Sequence, residues 1–207
     1  MARRCFPGRS SIKKSGYLLL LTGAVYFLSS GFKNSNSFSG HHTTDSLLSK
    51  QAFMQVYSVL TSPRCMNCHP AGDVPLVGED CQLHQKGAKR GKDGKGMYAG
   101  VCSNCHGDTN EPGLHTAPGN PNWHLPPANM KMIFQGKTAR ELAAQLLDTT
   151  MNGNKTTAEL VKHVADDGLV LGGWNPGEGR KLPPLTHDAF VQAFKTWINN
   201  GAYLPEQ

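Results

Sequence analysis

Apolar side chains are sparse in this chain, at 38% of 207 residues, whereas Gly (23) and Pro (13) are plentiful. Such a polypeptide has little to bury by its own means, so a large self-sufficient core is not expected. Long alternation of apolar and polar residues is missing, which argues against a substantial sheet. The apolar run Tyr17–Leu28 falls short of the ~18–20 residues of a membrane span. Nothing assembles a Ser/His/Asp or paired-carboxylate site with supporting context, so acid–base hydrolysis has no visible machinery. No internal repeat exceeds five residues.

That five-residue repeat carries the chemistry. Cys65-Met66-Asn67-Cys68-His69 and Cys102-Ser103-Asn104-Cys105-His106 both read C-x-x-C-H, the attachment signature of a c-type haem. The two thiols suit thioether bonds to the haem vinyl groups, and the adjacent histidine suits proximal ligation of the iron. At this composition, fewer than about one match per hundred shuffled chains is expected, and two occur. Zinc ribbons also pair C-x-x-C units, but about 15–20 residues apart, against 33 residues between Cys68 and Cys102 here. A zinc site also leaves the trailing histidines unexplained. A thioredoxin-like pair needs a βαβ setting that neither motif has, and plain disulfides remain an option in an exported chain. The expected cofactors are two c-type haems, bound by Cys65, Cys68, His69, Cys102, Cys105 and His106. Large apolar plates of that kind would let short helices and loops pack.

The N-terminus points to export. Arg3, Arg4, Arg9, Lys13 and Lys14 form a head without acidic residues, the run Tyr17–Leu28 follows, and Ser29, Ser30 and Gly31 are small. Residues 1–30 thus read as a signal peptide, with membrane anchoring through residues 16–30 as the alternative. A periplasmic or other extracytoplasmic location follows. The net charge of +6 falls to +1 once those five basic residues leave, so the sequence gives no reason to expect nucleic acid as a partner.

Residues 31–43 read as a linker, and residues 44–207 as the haem-bearing region. Thr44 or Asp45 is expected to cap a helix with Leu47, Leu48, Ala52, Phe53, Val56, Tyr57 and Leu60 on its apolar face, ended by Pro63. Lys86, Lys89, Arg90, Lys92 and Lys95 lie among glycines between the motifs, either as a solvated loop or as a collar for haem propionates or an acidic partner. Prolines 112, 118, 121, 126 and 127 preclude a continuous helix after the second motif. Capping boxes at Thr138–Glu141 and Thr156–Glu159 open two helices. Thr186 caps a last one carrying Phe190, Val191, Phe194, Trp197 and Ile198, which stops at Gly201. Leu169–Arg180 is expected to be a short extended segment and a turn. The fold class is mainly α: a loop-rich, cytochrome c-like helical region built around two covalently attached haems.

Each iron also needs, or lacks, a second axial ligand, and that choice sets its chemistry. His84, 15 residues after the first motif, and His124, 18 after His106, are the foremost candidates beside His69 and His106. Met130, Met132, His163 and His187 are rivals, because a methionine is often core packing and a histidine often structural. Cys81 reads as a thiol, buried or at the surface.

The segments CMNCHPAGDVPL, KRGKDGKG, CSNCH, PGNPNWHLPP and LVLGGWNPGEGR make the stretch from about Arg64 to Pro205 resemble a family of bacterial dihaem c-type cytochromes. Some of its members are named in connection with the isoquinoline 1-oxidoreductase type of molybdenum hydroxylase. The resemblance implies haem binding at both pentapeptides. No molybdopterin or flavin motif is visible, so any hydroxylase activity would reside in another subunit. An electron-transfer protein with donor and acceptor redox partners is expected, rather than an enzyme. The alternatives are a peroxidase-type dihaem enzyme with one open coordination site, or an electron-wiring subunit of a larger oxidoreductase.

Overall fold

In the computed structural model, which describes residues 39–85 and 87–206, the chain is mainly helical with a few short strands. The segment expected to direct export, most of the linker and Lys86 lie outside the described residues. Among the described residues no helix is long and apolar enough to cross a membrane.

Helix α1 (Ser39–Leu60) starts earlier than the expected cap at Thr44 or Asp45 and takes in the end of the expected linker. Nothing in residues 39–43 breaks a helix except the modest cost of Gly40, so hydrogen bonding propagates backward. Its buried face is Ala52, Phe53, Val56, Val59 and Leu60. Leu47 and Leu48, expected on that face, are exposed. Helix α6 (His187–Asn199), the main partner of α1, has 13 residues against 22 and covers only part of its length.

Thr186 caps α6 by accepting from Ala189 N–H, and Phe190, Ala193, Phe194 and Trp197 form its buried stripe. That 3–4 spacing is one face of a helix. Phe53 of α1 meets Trp197 with ring centroids 4.5 Å apart. Buried Ser49 joins the two helices: its hydroxyl donates to Trp197 O (3.0 Å) and accepts from Tyr203 N–H (2.9 Å). A terminal carbonyl of α6 is thereby satisfied without water.

Helices α3 (Ala139–Leu147) and α4 (Thr157–Asp166) both begin with complete capping boxes, at Thr138/Glu141 and Thr156/Glu159. The stretch after α4 differs from expectation. Gly168–Gly172 is a short helix, α5, not an extended segment. The Asp167 carboxylate accepts from Leu169 and Val170 N–H, and this side-chain cap turns the backbone into one helical turn. Pro63 likewise opens structure as well as ending α1: it is the first residue of the short helix α2 (Pro63–Met66), a position where its missing N–H costs nothing.

Two antiparallel hairpins are the strands of the described region. Strand β1 (Leu76–Val77) pairs with β2 (Gln82–Leu83), and β3 (Gly96–Met97) with β4 (Gly100–Val101). Between and after them the chain is loop, held by backbone bonds such as Leu125 N–H to Gly94 O (2.9 Å). Gly94 has φ +83°, and a Cβ there would lie 1.8 Å from Leu125 O, so only glycine fits.

Candidate functional site

The two pentapeptides share a pattern of backbone bonds, although the first continues the α-helix Pro63–Met66 and the second is a 3-10 turn at Cys102–Asn104. In the first, the His69 N–H donates to Cys65 O (3.1 Å) and Cys68 N–H to Cys65 O (3.2 Å). In the second, His106 N–H donates to Cys102 O (3.0 Å) and Cys105 N–H to Cys102 O (3.2 Å). Each motif is one helical turn, which brings positions i, i+3 and i+4 to one face. Cys, Cys and His of each motif therefore share a face. All four cysteines are free thiols. Among the described residues no group of three or more His, Cys, Asp or Glu side chains gathers as a metal cage.

Burial tunes the first motif strongly. It pushes the Cys65 thiol up to about 12, with Cys68 adding to the rise. It pushes Cys68 up to about 11, opposed by Arg64 and reinforced by Cys102 of the second motif. Burial also lowers His69 to about 4, against the bond to Met132 O. His106 is lowered by burial as well, opposed by its bond to Pro118 O and reinforced by His84. Both imidazoles are held in the neutral form, the one that ligates metals.

Their tautomers are set by backbone carbonyls. His69 Nδ1–H donates to Met132 O (2.6 Å) and His106 Nδ1–H to Pro118 O (2.7 Å), because a carbonyl can only accept. Each Nε2 keeps its lone pair for a metal. Each ring also lies flat on an aromatic: His69 on Phe134 (centroids 3.9 Å, 9° between planes) and His106 on Trp123 (4.1 Å, 7°). Orientation is thus fixed at one ring atom and across one ring face.

The other candidate ligands are distributed unevenly. The His84 ring stands 6.3 Å from that of His106, and its Nδ1–H donates to Gln85 O (2.7 Å). His124 Nδ1–H donates to Asn122 O (2.5 Å), and among the described residues no ring contact joins it to either motif histidine. His187 spends Nε2 on Val164 O (2.9 Å), tying α6 to α4. His163 pairs through Nδ1 with Asp167 at 3.4 Å. Met132 contributes its carbonyl to His69 while its side chain packs on the core; its φ is +46°. The Met130 N–H closes a turn onto Pro127 O. Cys81 is disulfide-bonded, not the thiol expected from the sequence.

Arg90 departs most from the picture of a solvated basic loop. Lys89, Lys92 and Lys95 are exposed, but Arg90 is fully buried. Its guanidinium donates to Pro126 O (2.6 Å) and Gly72 O (3.1 Å). Its Nε lies 3.4 Å from Asp73 Oδ1, an ion pair without hydrogen-bond geometry. Arg64 pairs with Glu79 (2.7 Å), yet its buried Nε also has no hydrogen-bond acceptor among the described residues. Both guanidinium groups act electrostatically on the first motif. Among the described residues the Arg64 Nε has no acceptor, whereas the Arg90 Nε faces the Asp73 carboxylate; a further carboxylate would suit Arg64.

The sequence alone did not reveal Phe134, the acceptor carbonyls of Met132 and Pro118, or the burial of Arg90. Trp123 stood out only through its place in Asn122–Pro127. The LVLGGWNPGEGR segment serves as a brace. Trp174 Nε1–H donates to Leu185 O (2.8 Å), and Arg180 reaches Thr116 O (2.6 Å) and Pro176 O (3.1 Å). These bonds fasten the segment before α6 to the loop that follows the second motif.

No family model matches the chain, and comparison with curated proteins and with solved structures yields no match.

Proposed function

We propose that the protein is an exported dihaem c-type cytochrome that carries electrons between redox partners. The observation that carries this reading is the matched pair of helical turns, each with two free thiols and a neutral histidine on one face. Cys65 and Cys68 would hold one haem with His69 as ligand, and Cys102 and Cys105 the other with His106. Bound haem supplies a one-electron couple at iron. The polypeptide's part is to hold, orient and shield. The Nδ1–H bonds to Met132 O and Pro118 O make each imidazole a stronger and better-aimed ligand. Phe134 and Trp123 keep the rings from rotating. The Nε of Arg64, buried and without an acceptor among the described residues, fits a propionate oxygen beside the first motif, which supports haem over a bare metal ion. The likeness to the dihaem family rests on the sequence segments alone, and a role as a wiring subunit is the nearest variant of this reading.

The test is production in a host with cytochrome c maturation machinery, followed by intact mass measurement and a redox titration. Two haem additions and reversible one-electron steps are expected. An exported protein that carries four free thiols and no haem would overturn the proposal. Rapid peroxide turnover at a high-spin haem would replace it with the peroxidase-type alternative.

A further inference from the structure

Resting on the dihaem reading, we infer that His84, delivered by the hairpin that follows the first motif, is the second axial ligand of the haem held by Cys102, Cys105 and His106. Two imidazoles bound on opposite sides of one metal through ring nitrogens at about 2 Å stand with their centroids about 6 Å apart. The His84 and His106 rings are 6.3 Å apart. Face-to-face rings lie closer, as His106 and Trp123 do at 4.1 Å; an edge-on core pair such as Phe190 and Phe194 also stands 6.2 Å apart, and what sets His84 and His106 apart from such a pair is that both leave Nε2 free. The separation matches that of two ligands with a metal between them.

Protonation agrees. His84 and His106 each give Nδ1–H to a backbone carbonyl, Gln85 O and Pro118 O, and each retains Nε2 as a donor. His187, by contrast, has committed Nε2 to Val164 O.

The backbone explains how His84 arrives. Leu76 N–H donates to Asn67 O (2.9 Å), which fastens β1 to the first pentapeptide. Strand β2 returns antiparallel, with Leu83 opposite Leu76, and His84 N–H closes on Pro75 O (2.8 Å). The chain then passes β4: a Cβ on Gly100 would meet Gly87 O at 3.1 Å. Two residues beyond Gly100 lies Cys102. The segment that holds one haem thus supplies a ligand to the other, and the second haem is closed to small molecules on both faces. His124, though nearer to His106 in sequence, has no such placement.

The holoprotein tests this directly. Near-infrared magnetic circular dichroism of the wild-type ferric protein should show at least one bis-histidine low-spin haem; its absence overturns the inference without any variant. In His84→Ala, one of the two haem equivalents should become high-spin and bind one equivalent of carbon monoxide when reduced, and added imidazole should restore the low-spin spectrum. His124→Ala should leave that haem low-spin. If His84→Ala carries two haems by mass and both remain six-coordinate without added ligand, or if His124→Ala opens the second haem instead, His84 is not the ligand. A wild-type protein without covalent haem would fail the dihaem reading itself, a result distinguishable from these.

Discussion

His69 lies flat on Phe134, centroids 3.9 Å apart and planes 9° apart, and Phe134 in turn donates its N–H to His69 O (3.0 Å). The aromatic therefore holds both the ring and the backbone of the first motif histidine. Phe134 is 5% exposed and belongs to the main core. Phe134→Ala should cost about 3–5 kcal/mol, the range for a buried phenylalanine, and should broaden the orientation of His69. Phe134→Leu should recover much of the stability but not the flat contact, which is worth about 0.5–1.5 kcal/mol. Thermal unfolding measures the first effect, and, on the proposed dihaem reading, the electron paramagnetic resonance line shape of a haem ligated by His69 would measure the second. Equal line shapes in both variants and wild type would remove the stacking role.

The capping boxes give a pH-dependent prediction. Glu159 has its carboxyl held below the usual value of 4.5, first by the Thr156 N–H and then by its hydroxyl. A depressed carboxylate contributes stability in full above its ordinary range and loses it as pH falls through the depressed value. Glu159→Ala should therefore lower Tm at pH 7, and the difference from wild type should narrow below pH 4.5. Thr156→Ala, which removes the hydroxyl that Glu159 N–H donates to, should cost about 1 kcal/mol. A difference that stays constant with pH would show that the Glu159 charge is not involved.

What the sequence revealed and what it hid have physical causes. Helices α3, α4 and α6 were legible because Thr138, Thr156 and Thr186 cap them by side-chain chemistry that acts within three residues. The pentapeptides were legible for the same reason: each is a single turn. Leu47 and Leu48 were misplaced because periodicity shows which face is apolar, not how far the covering helix extends. Arg90 sits between Lys89 and Gly91 and resembled a solvated residue. Its burial depends on Gly72 and Pro126, 18 and 36 residues away. The nearness of the His84 ring to His106 was likewise hidden, since it depends on a hairpin register and not on distance along the chain.

Arg90 connects three loops through Gly72 O, Pro126 O and Asp73. Arg90→Gln should cost about 1–3 kcal/mol, because the part-buried bonds of the guanidinium to Pro126 O and Gly72 O are lost. Arg90→Lys should recover only part, since an ammonium cannot reproduce the planar fork. Asp73→Asn should cost under about 1 kcal/mol: the carboxylate is 57% exposed, and solvent screens its bonds to Arg90 and to Lys131 (2.8 Å). Chemical denaturation of the three variants gives the ranking. If Asp73→Asn proves as costly as Arg90→Gln, the ion pair and not the carbonyl fork is the stabilising contact.

Removal of the two attachment sites should have unequal consequences. Met66 is fully buried and Cys65 packs against the core formed by α1, α3, α4 and α6. Loss of a haem at Cys65 and Cys68 would leave a void against that core, and voids destabilise in proportion to their volume. Cys105 and Val101 are exposed, and no residue of the second pentapeptide belongs to the core cluster. Cys102→Ser/Cys105→Ser should therefore accumulate as a folded single-haem protein whose helical circular dichroism and cooperative melt resemble the wild type. Cys65→Ser/Cys68→Ser should accumulate poorly or melt without cooperativity, even with one haem still attached. Equal yields and equal melting behaviour for the two double variants would show that neither haem is part of the core, and the helices would then owe their packing to contacts such as Phe53 with Trp197 alone.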